Sequence, residues 1–221
     1  MTGLRKTLSV IVMVLITAMG SLPGSAAETD QARVTIQAAV NEGLGTFTDR
    51  SYSLEDRTRL LDGLLRRYSD PTLLSANILG RYWGKISPTE QREFSETFMH
   101  YLVSSFVGLL KNLESGVTVR VGDAFEVGSR IRVTSVVTFP SEPGVAIPVD
   151  WELATAPDGR QVVVDVTAEG ISIIRAMRED FASVLRSSGG KIEPLMDALS
   201  RKIAENNKTN MAGRSGTSPL P

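Results

Sequence analysis

Asp165 and Glu169 stand four residues apart in a stretch with strand character, which places both carboxylates on one face. Two such groups could serve as general acid and general base. A structural role is the expectation, because Glu169 sits just ahead of a helix start. There it would favour the helix dipole or pair with Arg175 or Arg178. The chain has one histidine, His100, on a helical segment, and Thr155, Thr167 and Ser172 stand in no readable pattern around it. There is no cysteine, so thiolate catalysis, disulfides and thiolate-bound metal are excluded. One histidine cannot build a histidine-dominated metal cluster. Neither a GxSxG elbow, an HExxH pair nor a phosphate-cradling glycine loop occurs. No catalytic residue, metal site or cofactor is therefore expected, and the chain is not read as an enzyme.

The elements that would position these groups run from Val145 to Leu185. Val145, Ile147, Val149, Trp151 and Leu153 alternate with Ala146, Pro148, Asp150, Glu152 and Ala154, the period of a half-buried antiparallel strand. Pro157-Asp158-Gly159 supplies a hairpin turn. A second strand, Val162 to Val166, leads through Glu169-Gly170 into a helix with Ile171, Ile174, Phe181 and Leu185 on one side.

Upstream the chain reads as helical. Ala32 to Phe47 is moderately apolar, weakened toward its end by Gly43 and Gly45. Ser53 and Asp56 form a capping-box pattern opening Leu54 to Tyr68, with Leu60, Leu61, Leu64 and Leu65 as the buried stripe. Arg57, Arg59, Arg66 and Arg67 are expected to stay in water. Asp70-Pro71 opens a short helix carrying Leu73, Leu74, Ile78, Leu79 and Tyr82. Ser87-Pro88-Thr89-Glu90 then starts a long one to about Asn112, on which Phe94, Phe98, Tyr101, Leu102, Phe106, Leu109 and Leu113 recur at helical spacing.

Beyond Gly116 the period switches to two. Val117, Val119 and Val121 share one face; Ile131, Val133, Val137 and Phe139 share another, opposite Arg130, Arg132, Thr134 and Thr138. With the two later strands this predicts an α+β fold. Helices would pack on one face of a curved, about four-stranded antiparallel sheet and enclose an apolar cleft, leaving the polar face wet. A final helix carries Ile192, Leu195, Met196, Leu199 and Ile203.

The 221 residues suffice for one substantial domain. Arg5 and Lys6, the apolar run Leu8 to Met19, and Ser25-Ala26-Ala27 have the grammar of a secretory signal cut after Ala27. The run is shorter than the roughly 20 residues needed to span a bilayer. The expected organisation is a signal peptide over 1–27, one α+β domain over 28–205, and a disordered tail over 206–221. Removing Arg5 and Lys6 leaves 22 basic side chains against 25 acidic ones, a net charge of −3. Such a balance lacks the footprint of a nucleic-acid binder, and no nucleic-acid partner is expected.

Two stretches carry a family resemblance. LGRYWGKISPTEQREFSETFMHYLVSSF (Leu79 to Phe106) resembles the central signature of the MlaC, or toluene-tolerance, family, and VVDVTAEGISIIRAMREDFASVLRSSGG (Val163 to Gly190) resembles its second. The matching positions are Asp165, Glu169, Gly170, Ser172, Ile173, Arg178, Phe181 and Leu185, and the likeness extends over roughly Ala32 to Ile203. Gln161 and Val162 stand where members carry a tryptophan and a basic residue, and Met177 where they carry a tyrosine. The resemblance implies a periplasmic carrier that holds phospholipid acyl chains and shuttles lipid between inner and outer membranes. It implies two partners, an inner-membrane ABC transporter with an MCE-domain protein and an outer-membrane lipoprotein complex. A branch associated with hopanoid biosynthesis makes a hopanoid-type lipid the alternative cargo.

A carrier needs a dry cleft and no chemistry. Transfer of acyl chains from water is favourable by about 0.8 kcal/mol per methylene, yet near neutral from a bilayer. The expected lining is Val133, Val137, Val149, Trp151 and Val164 from the sheet with Ile78, Tyr82, Phe98, Leu102, Phe106, Ile174 and Phe181 from helices. An adaptor with a filled core has the same sequence pattern and stays open beside the carrier.

Overall fold

The computed structural model describes residues 23–212, with side chains from residue 26. Residues 1–22 of the expected signal and 213–221 of the expected tail lie outside the described residues. The order is α1 (Pro23–Thr48), α2 (Leu54–Tyr68), α3 (Pro71–Leu79), a 3-10 segment (Gly80–Lys85) and α4 (Pro88–Leu110). Strands β1 (Thr118–Val127), β2 (Arg130–Thr138), β3 (Ala146–Thr155), β4 (Gln161–Ala168) and β5 (Ile171–Ser172) follow, then α5 (Ile173–Ser187) and α6 (Glu193–Ala212). The fold is α+β, with the five strands in sequence order as an antiparallel meander.

The helix starts form as their caps dictate. Ser53 and Asp56 exchange bonds as a capping box on α2, as do Ser87 and Glu90 on α4, and Asp70 caps α3 ahead of Pro71. Each cap is worth about 1 kcal/mol.

Four expectations are corrected. Arg57 is buried, not wet: its guanidinium donates to the carbonyls of Asp49 (2.7 Å) and Lys111 (3.1 Å), tying α2 to the ends of α1 and α4. Leu60 and Leu109 are exposed, and the α2 stripe is centred on Leu61. Residues 206–212 are helical, because polar groups there find partners on α4. Asn206 donates to Ser104 and Ser105, and buried Asn210 donates to the Ser104 carbonyl across the gap left by Gly108. Ile171 is exposed because Glu169-Gly170 is not a helix lead-in but a two-residue hairpin loop. Both loop residues have positive φ (50° and 81°), as a type I′ turn requires, and the return strand is β5.

The sheet's two faces differ sharply. Ile131 and Val133 of β2 and Leu153 of β3 are buried against Ala32, Ile36 and Val40 of α1. The opposite face carries Arg130, Arg132, Asp150, Glu152, Asp165 and Thr167, all half-buried rather than wet, because α3 and α5 lie over it near β4. A bulge at Val164 sets this up. Glu152 pairs with Asp165 but Leu153 pairs with Val163, so Val163 joins the apolar face. Val162 and Val164 pack instead with Leu73 of α3 on the polar side. At its outer edge β4 is met by a single bridge from Ser69 and then by β5. At the other edge, β1 breaks register between Val121 and Ala124.

Candidate functional site

Asp165 is the anchor of α5. Its Oδ1 accepts from the backbone N–H groups of Val166 (2.7 Å) and Ile174 (3.1 Å), and its Oδ2 from the Ser172 hydroxyl (2.5 Å). Ser172 Oγ in turn accepts from the Arg175 N–H. The orphan donors at the helix start are thereby matched to a carboxylate and a hydroxyl. Glu169 forms no ion pair with Arg175 or Arg178 among the described residues. Its place is fixed by the turn, with its N–H donating to the Pro148 carbonyl.

The expected lining residues fall into separate groups. Ile78, Tyr82, Phe98, Leu102, Ile174 and Phe181 come together in one cluster of α3, α4, α5 and α6. Within it Phe94 and Phe98 stack at 5.8 Å and Phe181 meets both rings edge-on. Phe106 is half-buried and bridges this cluster to a third one around Phe47, Leu61, Val103 and Val107. Val133 and half-buried Trp151 belong to the α1–sheet cluster, and Trp151 Nε1 donates to Ser135 Oγ (2.9 Å). Val149 is buried on that same sheet face, its carbonyl accepting from Ser135, and Val137 is half-buried beside it. Val164 is not brought to this face, because the bulge turns it to the other.

The helical cluster and the α1–sheet cluster share no residue. Domains of this size usually have one contiguous core. Here the described residues form separate clusters: α1 packs on one face of the sheet, while α3 and α5 of the helical cluster lie over the other.

Two surface depressions stand out among the described residues. One, of about 500 Å³, is lined by Glu28, Gln31 and Thr35 of α1, Arg67 and Tyr68, and the β3–β4 turn. The other, of about 460 Å³, is a charged groove on the polar sheet face under α3 and α5, lined by Asn77, Arg130, Arg132, Asp150, Glu152, Asp165, Thr167, Arg175 and Arg178. Among the twelve expected lining residues, Ile174 alone borders either depression. Arg130 and Arg132 both clamp Glu152, at 3.0 and 2.8 Å. Burial pushes the Glu152 carboxyl up, but the two guanidiniums outweigh it and hold the group below the ordinary glutamate range. This groove escaped the sequence reading because its four arginines come from one strand and from a helix more than forty residues downstream. Only the positions of Arg130 and Arg132 on one strand face were readable in advance.

Comparison with known proteins places these features. The chain is 24% identical over 176 residues to the toluene tolerance protein ttg2D of Pseudomonas putida, covering 77% of this chain and 80% of that one. Its fold is similar to a solved structure of the phospholipid-binding protein from Ralstonia solanacearum in complex with a phospholipid. That likeness has a TM-score of 0.69 and 23% identity, and spans 80% of this chain and 99% of the other. The family model described as MlaC protein matches residues 37–201, most of the described structure, and the chain therefore belongs to the MlaC family.

Proposed function

We propose that this protein is a lipid carrier that holds phospholipid acyl chains in its apolar interior and transfers them without chemical change. Membership of the MlaC family carries the reading. The relative from Ralstonia solanacearum, of the same fold, is itself a phospholipid-binding protein. The proposed physical means is a parting of packed apolar side chains. Parting two apolar walls exposes hydrocarbon to water, at a cost of about 25 cal/mol per Å², unless acyl chains enter as the walls separate. Opening and loading are then one event.

The proposed lining has two sets: Ile78, Tyr82, Phe98, Leu102, Phe106, Ile174 and Phe181 on the helical side, and Val133, Val137, Val149 and Trp151 on the sheet side. Val164 accompanies the helical set through its contact with α3. The proposed setting is the periplasm, reached by cleavage of residues 1–27. The proposed partners are an inner-membrane ABC transporter with an MCE-domain protein and an outer-membrane lipoprotein complex.

A second reading, an adaptor with a permanently filled core, is favoured by one observation: eleven of the twelve lining residues border neither depression. Organic extraction of the protein purified from the periplasm, followed by lipid mass spectrometry, separates the two. Stoichiometric intact phospholipid supports the carrier, and a hopanoid in its place reassigns the cargo. Protein that is lipid-free on isolation and takes up none from vesicles establishes the adaptor.

A further inference from the structure

The groove on the polar sheet face is built differently from the rest of the surface. Four guanidiniums and three carboxylates meet in it, but they are not equally available. Glu152 is taken by Arg130 and Arg132, and both oxygens of Asp165 are taken by the start of α5. Arg130 also donates to Asn77, which is fixed by its own bond to the Val164 carbonyl. Arg175 and Arg178, one turn apart on α5, have no ion-pair partner among the described residues. Asp150 is the one carboxylate left to oppose them. Arg132 Nε is buried with no hydrogen-bond partner, an unmet donor in the groove wall.

Arg178 is also held in place. Its guanidinium lies directly against Gly80, so closely that a β-carbon there would collide with it. Gly80 closes the end of α3, where carbonyl groups attract a cation. A long flexible side chain is thus parked at the edge of the groove. At the inner end stands Ile174, which borders the groove and belongs to the helical apolar cluster.

From this we infer that the groove between α3, α5 and strands β2–β4 is a site for a phosphate group, bound by Arg175 and Arg178. Guanidinium forks match phosphate oxygens in pairs, and two of them without carboxylate partners favour a dianionic or diester oxyanion over a neutral ligand. The source of the phosphate is a lipid headgroup or a free phosphate ion. The first rests on the carrier reading, with Ile174 leading from headgroup to tails; the second does not.

The test compares the wild-type chain with an Arg175→Gln/Arg178→Gln double variant and with Arg175→Gln alone, which spares the contact on Gly80. Each is offered vesicles containing phosphatidylglycerol, or containing diacylglycerol with the same chains, and uptake is measured. The arginine Nε–H resonances are followed by NMR during titration with inorganic phosphate. The expected result is that the double variant loses about tenfold in phosphatidylglycerol uptake, equivalent to roughly 1.4 kcal/mol, with diacylglycerol uptake unchanged. Phosphate-induced shifts of the Arg175 and Arg178 resonances with unchanged lipid uptake assign the site to free phosphate. Unchanged uptake together with unmoved resonances overturns the inference. A wild-type chain that takes up neither lipid defeats the carrier reading instead, and the phosphate titration still reads the groove by itself.

Discussion

The Asp165 carboxylate accepts a hydrogen bond from the Ser172 hydroxyl at 2.5 Å, and through it the last long strand is locked to the start of α5. Asp165→Ala removes the acceptor for that hydroxyl and for the N–H groups of Val166 and Ile174. Hydrogen bonds to charged groups contribute about 1.5–3 kcal/mol each, not additively. The expected outcome is a loss of roughly 2–4 kcal/mol in denaturant unfolding, while Asp165→Asn, keeping one carbonyl oxygen, loses less. Equal stability of the alanine variant and the wild type would show the anchor to be idle.

Glu169 occupies a positive φ of 50° that glycine, asparagine or aspartate adopts more readily. Glu169→Asn creates the Asn-Gly pair preferred in type I′ loops and removes no ion pair. Stability should rise by about 0.5–1 kcal/mol, read as a higher Tm. A lower Tm would mean that the glutamate side chain contributes something its contacts do not explain.

Arg57 holds two backbone carbonyls that no other side chain reaches in the described structure. Arg57→Met keeps the aliphatic bulk and removes both bonds, and hydrogen bonds to a charged group contribute about 1.5–3 kcal/mol each, not additively. Arg57→Lys is expected to restore only part, because a single ammonium cannot span the Asp49 and Lys111 carbonyls as the planar fork does. Urea unfolding of the three proteins ranks them.

Acid sensitivity should trace in part to Glu152. Its folded-state pKa lies below the ordinary value of 4.5, so its contribution is fully present above that value. It is lost as pH falls below 4.5 through the lower folded-state value. Stability measured from pH 6 to pH 3 should therefore fall less steeply for Glu152→Gln than for the wild type. The variant should also start lower at pH 6, since Arg130 and Arg132 lose their partner. Parallel curves would remove Glu152 from the acid transition.

Phe106→Arg and Val149→Arg each place a charge in one of the two proposed lining sets, the helical and the sheet one. Each should abolish lipid co-purification from a folded protein, as judged by circular dichroism and lipid mass spectrometry. A folded variant with unchanged lipid content strikes that residue from the lining.

Much of the architecture was legible because its signals are local. Ser53 with Asp56, Asp70 with Pro71, and Ser87 with Glu90 mark helix starts within a few residues, and the strand alternation marks the apolar face. What was missed depends on distant partners. The burial of Arg57 is set by carbonyls 8 and 54 residues away. The extension of α6 to Ala212 rests on Ser104, more than a hundred residues upstream of Asn206 and Asn210. A single bulge moved Val164 to the other side of the sheet, since a period of two has no memory across an inserted residue. The candidate site was legible only as a set of greasy positions. Which of them face one another is decided by how α1 and α3 divide the two faces between them.

Among the described residues, β1 is the long bare flank of the meander, since the other edge strand, β5, has two residues. On the β4 side, Ser69 and β5 already occupy backbone groups that another chain could use. On the β1 side, the break between Val121 and Ala124 cuts the comb of free amides and carbonyls into two four-residue teeth. A docking strand would find no long run to zip onto. Crowded solutions of this protein should accordingly resist fibril growth seeded from the sheet.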